Sequence, residues 1–259
     1  MTLATWPPGV SVIIPVYNGE RFLAEAIRSV IDQAMPLDEI IVVDDGSIDN
    51  TGELVANLAD EGPIHYVFQA NQGPAAARNH GLRLARGEII AFQDADDLWA
   101  SDRLRLQLQI LDRRPEVSLV IGRTCFFFDG TAPELTAPKP VESEDLTAPR
   151  WFLSMHCGLY RRTAFTEVGV FDETLLIHDD VDWFRRAVAL GLTTLAHDDV
   201  VLFHRRHADN LTNNRAAAQI ALLRMLRQGS RGNGLGAPLL AALTGHSVAS
   251  EGSNRRDRT

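Results

Sequence analysis

Three carboxylates lie within four residues at positions 94–97, in the sequence Asp94-Ala95-Asp96-Asp97 directly after an apolar run. Such residues would also suit an ordinary turn that leads into a helix, because Asp favours both. Three like charges repel one another, however, and they stay ionised together most easily beside a cation. Oxygen ligands on a short turn suit Mg²⁺ or Mn²⁺, whose other positions are taken by water and substrate phosphate. We therefore interpret residues 94–97, called the acidic turn below, as a metal site.

A second acidic pair, Asp44-Asp45, precedes Gly46-Ser47 at the end of another apolar run. A turn at a strand end accounts for these residues, with Gly and Ser serving the backbone. A second hypothesis is that one carboxylate accepts the N–H of a pyrimidine base, because an ionised Asp only accepts hydrogen bonds. The pair alone does not decide between the two.

Residues 73–79, GPAAARN, predict the start of a helix. A Gly-Pro turn followed by an Ala-rich helix explains them, with Arg78 in solvent. Alternatively, the exposed N–H groups and the positive end of the helix dipole would meet a phosphate, with Arg78 as a fixed cation. Both interpretations stay open at this point.

Residues 178–186, HDDVDWFRR, predict the start of another helix. Capping by Asp179 or Asp180, with Asp182 paired to an Arg one turn later, accounts for the sequence. The sharper hypothesis makes one of these carboxylates a general base, because the positive end of the helix dipole favours its ionised form. Trp183 would then offer a flat apolar wall to an acceptor molecule.

A basic cluster, His204-Arg205-Arg206-His207, follows the last predicted strand. Two His three residues apart, with two Arg between them, could bind a metal or a phosphate. Clusters of this kind are more often solvated strand ends. We therefore expect a solvated strand end here.

The first hundred residues alternate between strands and helices, which predicts parallel strands joined by right-handed crossovers. Ligands bind at the carboxyl ends of such strands. The polar residues that follow the first, second and fourth strands, namely Tyr17-Asn18, Asp44-Asp45 and the acidic turn, should therefore meet at one edge. The predicted strands are residues 10–16, 39–43, 64–68, 88–93 and 117–121, and the predicted helices are residues 20–34, 50–60, 74–86 and 101–114.

The pattern is less regular after residue 121. A Pro-rich segment at 129–150 predicts a long loop, and a basic-apolar pattern predicts a helix at 214–227. The C-terminal residues beyond it are rich in Gly, Ala and Ser, so we expect a mobile tail. Between the loop and this last helix we predict strands near 157–160, 193–196 and 199–205, and helices from about 162 and from about 180 to 190.

Composition excludes several classes of protein. The 259 residues carry a formal net charge of −9, so we expect no nucleic-acid partner, because binding to phosphates needs a basic face. Two cysteines, Cys125 and Cys157, are too few for a disulfide framework or a four-thiolate zinc site. The chain has no apolar run of about 18 residues and no basic-apolar leader, so we expect a cytoplasmic protein without a membrane span.

Together these segments resemble the family 2 inverting glycosyltransferases of GT-A fold, and the likeness covers residues 9–212. It rests on VSVIIPVYNGERFLAEAIRSVIDQ, EIIVVDDGSIDNT, NQGPAAARNHGL and ARGEIIAFQDADDLW, and more loosely on GVFDETLLIHDDVDWFRRA and HRRHADNLT. The resemblance implies an α/β fold with a Rossmann-like, mostly parallel central sheet, flanking helices and a smaller acceptor-side subregion. It implies a GT-A domain over 1–212, with a nucleotide-sugar half (9–97) and an acceptor half (98–212), followed by a C-terminal helix and tail (213–259).

For the nucleotide, the resemblance implies that Pro15 and Tyr17 flank the base, with Asn18 beside them. Asp45 would accept a hydrogen bond from the ring N–H of the base. Arg78 would steady the nucleotide side of the donor.

For the diphosphate, the resemblance implies that the acidic turn is the DxD motif of the family. Asp96 would hold Mn²⁺ or Mg²⁺, and Asp94 would reach the ribose or a metal-bound water. Asp97 matches a further acidic position that contacts the sugar or the metal. His207 resembles a late His that closes over the diphosphate as a metal ligand.

On the acceptor side, the resemblance implies that Asp180 deprotonates the acceptor hydroxyl. The family usually has Glu-Asp where this chain has Asp179-Asp180. Asp179 and Trp183 are the other expected acceptor-side residues.

The implied activity is metal-assisted transfer of a sugar, with inversion, from a nucleoside-diphosphate sugar to an acceptor hydroxyl, and we expect a UDP-sugar. The acceptor, which is a glycan, a lipid-linked molecule, a peptide or a small molecule in this family, is left open, as are dimerisation and contact with a membrane surface. The alternative is a non-catalytic protein of the same fold that binds a nucleotide sugar or a partner. The intact acidic turn and Asp180 favour the enzyme.

Overall fold

The computed structural model describes residues 9–130, 154–175, 177–208 and 210, and these form a single sheet flanked by helices. The strands are β1 (Val10–Val16), β2 (Glu39–Asp44), β3 (Ile64–Phe68), β4 (Ile89–Phe92), β5 (Leu98–Trp99), β6 (Leu119–Phe128), β7 (Gly158–Arg161) and β8 (Thr194–Arg206). The helices are α1 (Leu23–Ile31), α2 (Thr51–Leu58), α3 (Pro74–Leu84), α4 (Arg103–Arg113), α5 (Arg162–Val168) and α6 (Asp179–Ala189), and a 3-10 turn spans Met155–Cys157.

The order of the strands in the sheet is β3-β2-β1-β4-β7-β6-β8-β5. β1 pairs in parallel with β2 and with β4, so that Val16 lies opposite Asp44 and Ile13 lies opposite Phe92. β3 pairs in parallel with β2. The predicted parallel arrangement of the first half is therefore confirmed. The carboxyl ends of β1, β2 and β4 form one edge, which we call the carboxyl edge.

The second half of the sheet mixes strand directions. β6 and β8 are parallel, whereas β7 is antiparallel to both of its neighbours and β5 is antiparallel to β8. Parallel pairings still predominate among the described strands, as expected. The crossover rule concerns parallel strands joined through a crossover such as one helix, so it gives no direction for β7, which follows β6 only after a long connection.

Two strands are longer than the sequence predicts. β6 continues through the polar residues 122–124 to Phe128, and β8 joins the two strands predicted at 193–196 and 199–205. The polar residues that interrupt the apolar patterns of β6 and β8 lie where the pairing of these two strands shifts register, between Ile121 and Thr124. Arg123 of β6 forms an ion pair there with Asp198 of β8. Both strands therefore continue through an irregularity in their pairing where the sequence predicts breaks.

Helix α3 lies unusually close to the sheet because of Gly81. A Cβ atom at this position would be 2.4 Å from Cγ2 of Ile13 on β1, far inside normal contact. The side-chain amide of Asn79, also in α3, donates to the carbonyl of Phe171 (3.0 Å) and accepts from the N–H of Phe171 (2.9 Å). These contacts fix α3, and with it Arg78, at the carboxyl edge.

Several predictions fall on residues that the structure does not describe. The loop predicted at 129–150 lies outside the described residues after Gly130, and so do the helix at 214–227 and the tail. The division of the domain at 97/98 stays a prediction. Within the described part, no helix combines the length and apolar character needed to cross a membrane. Cys125 and Cys157 are both buried and form no disulfide.

The close approach of α3 to β1 leads to a stability prediction. Gly81→Ala should lower the free energy of unfolding by about 1–2 kcal/mol, because overpacking costs about 1–3 kcal/mol and the better helix propensity of Ala returns at most about 1 kcal/mol. Gly52→Ala in α2 is the control, since its Cβ would meet only the end of the Tyr66 side chain, at 3.1 Å. Urea unfolding measures both variants; a Gly81→Ala protein as stable as the parent would contradict this packing.

Candidate active site at the carboxyl edge

Hydrogen bonds join the ends of β1, β2 and β4. The N–H of Asp45 donates to Val16 (2.8 Å), and the N–H of Gln93 donates to Ile13 (3.0 Å). Asn18, at φ 53°, donates from its N–H to Ser47 Oγ (2.8 Å) and accepts from the N–H of Ile48 (2.9 Å). The predicted common edge for the ends of these strands is therefore confirmed, and it brings Asn18 into contact with the turn after β2.

The two acids of the second pair have different surroundings. Asp44 fixes the turn by accepting from the N–H of Ser47 (2.7 Å) and from the Tyr66 hydroxyl (2.7 Å). Burial and Asp44 together raise the pKa of Tyr66 to about 12. The buried Asp45 accepts from the N–H groups of Gln72 (2.9 Å) and Gly73 (2.7 Å). Asp45 thus lies at the start of α3.

The other residues expected around the base lie on or beside β1. Pro15 is half-buried within the strand, and Tyr17, directly after it, is 52% exposed. Gln69 completes the surroundings of Asp45 by donating from Nε2 to its Oδ1 (2.7 Å). Tyr17 therefore follows β1 at the carboxyl edge with about half of its surface exposed.

Asp97 is the most deeply buried acid of the acidic turn. It has no exposed surface, and its Oδ2 lies 2.9 Å from Nδ1 of His204 while its Oδ1 accepts from the N–H of Arg205 (2.9 Å). Both carboxylate oxygens of Asp97 are therefore buried in this structure. The expected direct contact with a sugar or a metal would need an exposed oxygen. Asp97 instead fixes the end of β8 to the acidic turn.

Asp96 lies nearer the surface. Its Oδ2 is 2.9 Å from Nε2 of His207 and accepts from Nδ2 of Asn210 (3.2 Å). Burial and the charges of Asp97 and Asp94 raise the pKa of Asp96 to about 6, although the hydrogen bond from His207 lowers it. Asp96 and His207, which were expected to share a metal, are thus neighbours.

The cluster at 204–207 is not a solvated strand end, and that expectation was wrong. His204 and Arg205 are buried, and Arg205 Nε donates to the backbone carbonyl of Asp96 (2.9 Å). Its guanidinium lies over the rings of Phe22 (4.6 Å) and Phe127 (4.7 Å). The negative charge of the acidic turn explains why His204 and Arg205 are buried beside it.

Arg78 connects the acidic turn to helix α6. Its Nη1 donates to Oδ2 of Asp179 (2.7 Å), and its Nη2 donates to Oδ1 of Asp94 (3.2 Å). Burial lowers the pKa of Arg78, but the charges of Asp179 and Asp94 outweigh this and raise it overall. The interpretation of Arg78 as a solvated side chain is therefore wrong, and the interpretation as a fixed cation is supported by these contacts.

Asp179 and Asp180 begin α6 and differ in their contacts. Asp179 is buried and paired with Arg78, whereas Asp180 is half-buried and accepts the N–H of Val181 (2.7 Å). Burial and the charge of Asp179 raise the pKa of Asp180, an effect that Arg78 partly offsets. Asp180 is therefore the more accessible carboxylate of the two.

Trp183 does not form an acceptor wall. Its side chain has no exposed surface, and its ring packs against Tyr160 (5.6 Å between centroids) and Phe165 (5.0 Å) while Nε1 donates to Gly169 (2.9 Å). Trp183 belongs to the apolar face of α6, which covers the core. The expectation was therefore wrong for this residue.

His156, in the 3-10 turn, is a member of the site that sequence reasoning missed. Its Nδ1 lies 2.8 Å from Oδ2 of Asp94, and its Nε2 lies 3.4 Å from Oδ2 of Asp97. Burial lowers the pKa of His156, but these two carboxylates raise it overall. Burial alone would raise the pKa of Asp94, but His156 and Arg78 lower it overall. No local pattern marks His156, because its partners are about 60 residues away.

Two groups of residues could hold a cation. Asp97, His156 and His204 bring ligand atoms within 4.8 Å of one another, but His204 Nδ1 and Asp97 Oδ2 are only 2.9 Å apart. This is a hydrogen-bond distance, but Nε2 of His207 and Oδ2 of Asp96 are also 2.9 Å apart, so distance does not distinguish the two groups. In the second group, Asp96 and His207, the Asp96 side chain is 27% exposed whereas Asp97 is fully buried, and an oxygen ligand with open surroundings fits Mg²⁺ or Mn²⁺.

Comparison with known proteins identifies a family model and several relatives. The model for glycosyl transferase family 2 matches residues 11–169. A glycosyltransferase of Nostoc sp. PCC 7120, itself uncharacterised, is 36% identical over 175 residues, which are 63% of this chain and 54% of the relative. The chain spans 15% to 59% of the lengths of this and other curated relatives that it matches.

Two solved structures have the same fold. S. aureus TarS (residues 1–349), in complex with UDP-GlcNAc, matches with a TM-score of 0.66 at 20% identity, over 91% of this chain and 70% of that one. The mannosyltransferase PcManGT from Pyrobaculum calidifontis, in complex with GDP-Man and Mn²⁺, matches with a TM-score of 0.69 at 24% identity, over 93% and 69%. These likenesses confirm the predicted α/β GT-A fold.

The raised pKa of Asp96 leads to a pH-dependent prediction for the metal-free protein. An acid whose pKa is higher in the folded state than in the unfolded chain binds protons more tightly when folded, so stability falls as pH rises from about 4 to about 6. Asp96→Asn cannot ionise and keeps an acceptor for His207 and Asn210. Its melting temperature with EDTA should exceed that of the parent at pH 7.5, and by less at pH 5.0.

The matched control is Asp102→Asn, because Asp102 is exposed at the start of α4 and its pKa is lowered by Arg105. This variant should gain no stability at pH 7.5. A gain for Asp96→Asn that is equal at both pH values, or absent at pH 7.5, would contradict the raised pKa.

Proposed function

Since this chain belongs to glycosyl transferase family 2, we propose that it moves a sugar from a nucleoside-diphosphate sugar to an acceptor hydroxyl with inversion. The observation that carries the proposal is the pairing of two carboxylate groups across one arginine. Asp94 of the acidic turn and Asp179 beside Asp180 both bind Arg78. A donor at the acidic turn and an acceptor at α6 would therefore lie side by side.

We propose that the nucleotide base binds at the ends of β1 and β2. The exposed ring of Tyr17 and the half-buried Pro15 offer apolar faces for a base, and Asn18 shapes the turn between them and Ser47. Asp45 already accepts three hydrogen bonds, and a carboxylate has about four acceptor positions. One position is thus left for a ring N–H, which uracil can donate, and the resemblance to the family leads us to expect UDP.

We propose that Asp96 and His207 hold Mn²⁺ or Mg²⁺ on the donor diphosphate, with Asp94 toward the ribose or a metal-bound water. A bound cation would neutralise the negative charge that develops on the departing diphosphate. Asp96 must lose its proton to serve as a ligand, and Nε2 of His207 must also be unprotonated, so the metal would replace the hydrogen bond between these two side chains. Asp97 holds the acidic turn in place through its contacts with His204 and with the backbone N–H of Arg205.

We propose that Asp180 is the general base. The helix dipole at the start of α6 favours the ionised form, but burial and Asp179 outweigh such effects and raise the pKa of Asp180 overall. Its raised pKa makes it a better proton acceptor than an ordinary Asp. The acceptor oxygen attacks the anomeric carbon as its proton passes to a carboxylate oxygen of Asp180, and the bond to the diphosphate breaks on the opposite face. One such displacement inverts the configuration.

In this account Arg78 acts on both substrates. It holds Asp179 away from the acceptor proton, so that Asp180 alone takes the proton. It also places a positive charge beside Asp94, where the diphosphate charge grows. The cytoplasmic location stays a prediction.

Donor binding can be measured first. Thermal unfolding with UDP-sugars and GDP-sugars, each with Mn²⁺ or with EDTA, should show a higher melting temperature for a UDP-sugar with Mn²⁺. A ligand at about 100 times its Kd adds about 2.7 kcal/mol of stability. Asp96→Ala should remove the part that depends on Mn²⁺. Stabilisation that is equal with Mn²⁺ and with EDTA would contradict the metal-assisted donor site.

The base can be tested by Asp180→Asn. We expect transfer to fall by about 10²- to 10⁴-fold, because general base catalysis contributes about that factor, while donor binding with Mn²⁺ is unchanged. Asp172→Asn, in the exposed turn before α6, is the control and should transfer at the parental rate. The measurement is the initial rate of transfer with a donor and an acceptor that the parent protein uses. Near-parental transfer by Asp180→Asn would refute the role of this residue.

A further inference from the structure

His156 is a buried ring between two acids of the acidic turn. Its Nδ1 is within hydrogen-bond distance of Asp94 Oδ2 (2.8 Å) and of Ser154 Oγ (2.7 Å), and its Nε2 faces Asp97 Oδ2 at 3.4 Å. An ionised carboxylate has no proton to give, so the contact with Asp94 requires the hydrogen to be on Nδ1 of His156. The ring is also parallel to that of His204, with 5.7 Å between centroids.

The turn that carries His156 is held by buried side chains of α4. Arg103, which has no exposed surface, donates to the carbonyls of His156 (2.6 Å) and Gly158 (3.0 Å). Gln107 donates to the carbonyl of Cys157 (3.1 Å). A guanidinium is costly to bury, and this one fixes two residues, while Gln107 fixes the residue between them. The direction of the His156 ring is therefore set by the backbone beneath it.

This arrangement gives Asp94 a defined position. Arg78 of α3 holds Oδ1 of Asp94 and His156 of the 3-10 turn holds Oδ2, so each oxygen of the carboxylate is oriented by a different element of the fold. The proposed function requires Asp94 to meet the donor at one place. A carboxylate held on one oxygen only could rotate, and a donor would then have to order it on binding.

We propose that His156 is a positioning residue that orients Asp94 for binding of the metal-bound nucleotide donor. The proposal rests on the function proposed above, because it concerns the donor side of that site. It makes the 3-10 turn, which precedes the acceptor-side helices in the chain, a part of the donor site. His156 acts through Asp94 and does not touch the reacting atoms.

The test compares three variants of the full chain. His156→Phe keeps the ring but removes both nitrogen atoms, His156→Asn keeps a donor near the position of Nδ1, and His156→Gln keeps one near the position of Nε2. For His156→Phe we expect the Kd of UDP with Mn²⁺, measured by calorimetry, and the donor KM to rise about 10- to 100-fold, as is usual when a supporting residue of a metal site is lost. The acceptor KM should not change.

The two polar variants separate positioning from packing. His156→Asn should keep the donor KM within about threefold of the parent, while His156→Gln should behave like His156→Phe; this comparison also decides the matter if His156→Phe does not fold. His197→Asn is the matched control, because His197 is a largely buried histidine of β8 that pairs with Asp199, and it should change neither constant.

Two further results would overturn the proposal in different ways. Variants that lower the melting temperature but leave the donor KM and the Kd unchanged would make His156 a structural residue only, with the proposed function intact. A parent protein that binds neither UDP nor GDP with Mn²⁺ would refute the proposed function itself, and this inference with it.

Discussion

Mutual repulsion among the three carboxylates of the acidic turn is the constraint on which the arrangement of the site depends. The structure compensates each acid with a basic group from another part of the chain. Asp94 contacts His156 and Arg78, Asp96 contacts His207, and Asp97 contacts His204. Strand β8, the 3-10 turn and α3 therefore all converge on residues 94–97, although they are far apart in the sequence.

Ion pairs of Arg78 connect the donor side of the proposed reaction with the acceptor side. Arg78 is buried between the acidic turn and the start of α6, so the position of Asp179 depends on the position of Asp94. Gly81 allows α3 to pack directly on β1, which holds this arginine at the carboxyl edge. The distance between a donor and the proposed base Asp180 is consequently set by the packing of one helix on the sheet.

Local patterns in the sequence predicted the parallel half of the fold and the meeting of the strand ends, because hydrophobic periodicity and the crossover rule need only neighbouring elements. They failed where the partners are distant. His204 and Arg205 looked like solvated residues because their partners, Asp97 and Asp96, are more than 100 residues away. His156 has no motif at all, and Trp183 was misjudged because an aromatic residue on a helix more often faces the core. The roles of Asp45, Asp96 and Asp180 stay predictions.

The central claim is that a divalent cation on the donor diphosphate is held at Asp96, at the surface of the acidic turn. Crystals grown with Mn²⁺ and UDP, measured at the manganese absorption edge, test this directly through the anomalous difference map. We expect one strong peak within direct ligand distance of an Asp96 oxygen and close to the diphosphate. A peak enclosed by Asp97, His156 and His204, or a bound UDP without a manganese peak beside Asp96, would contradict the account.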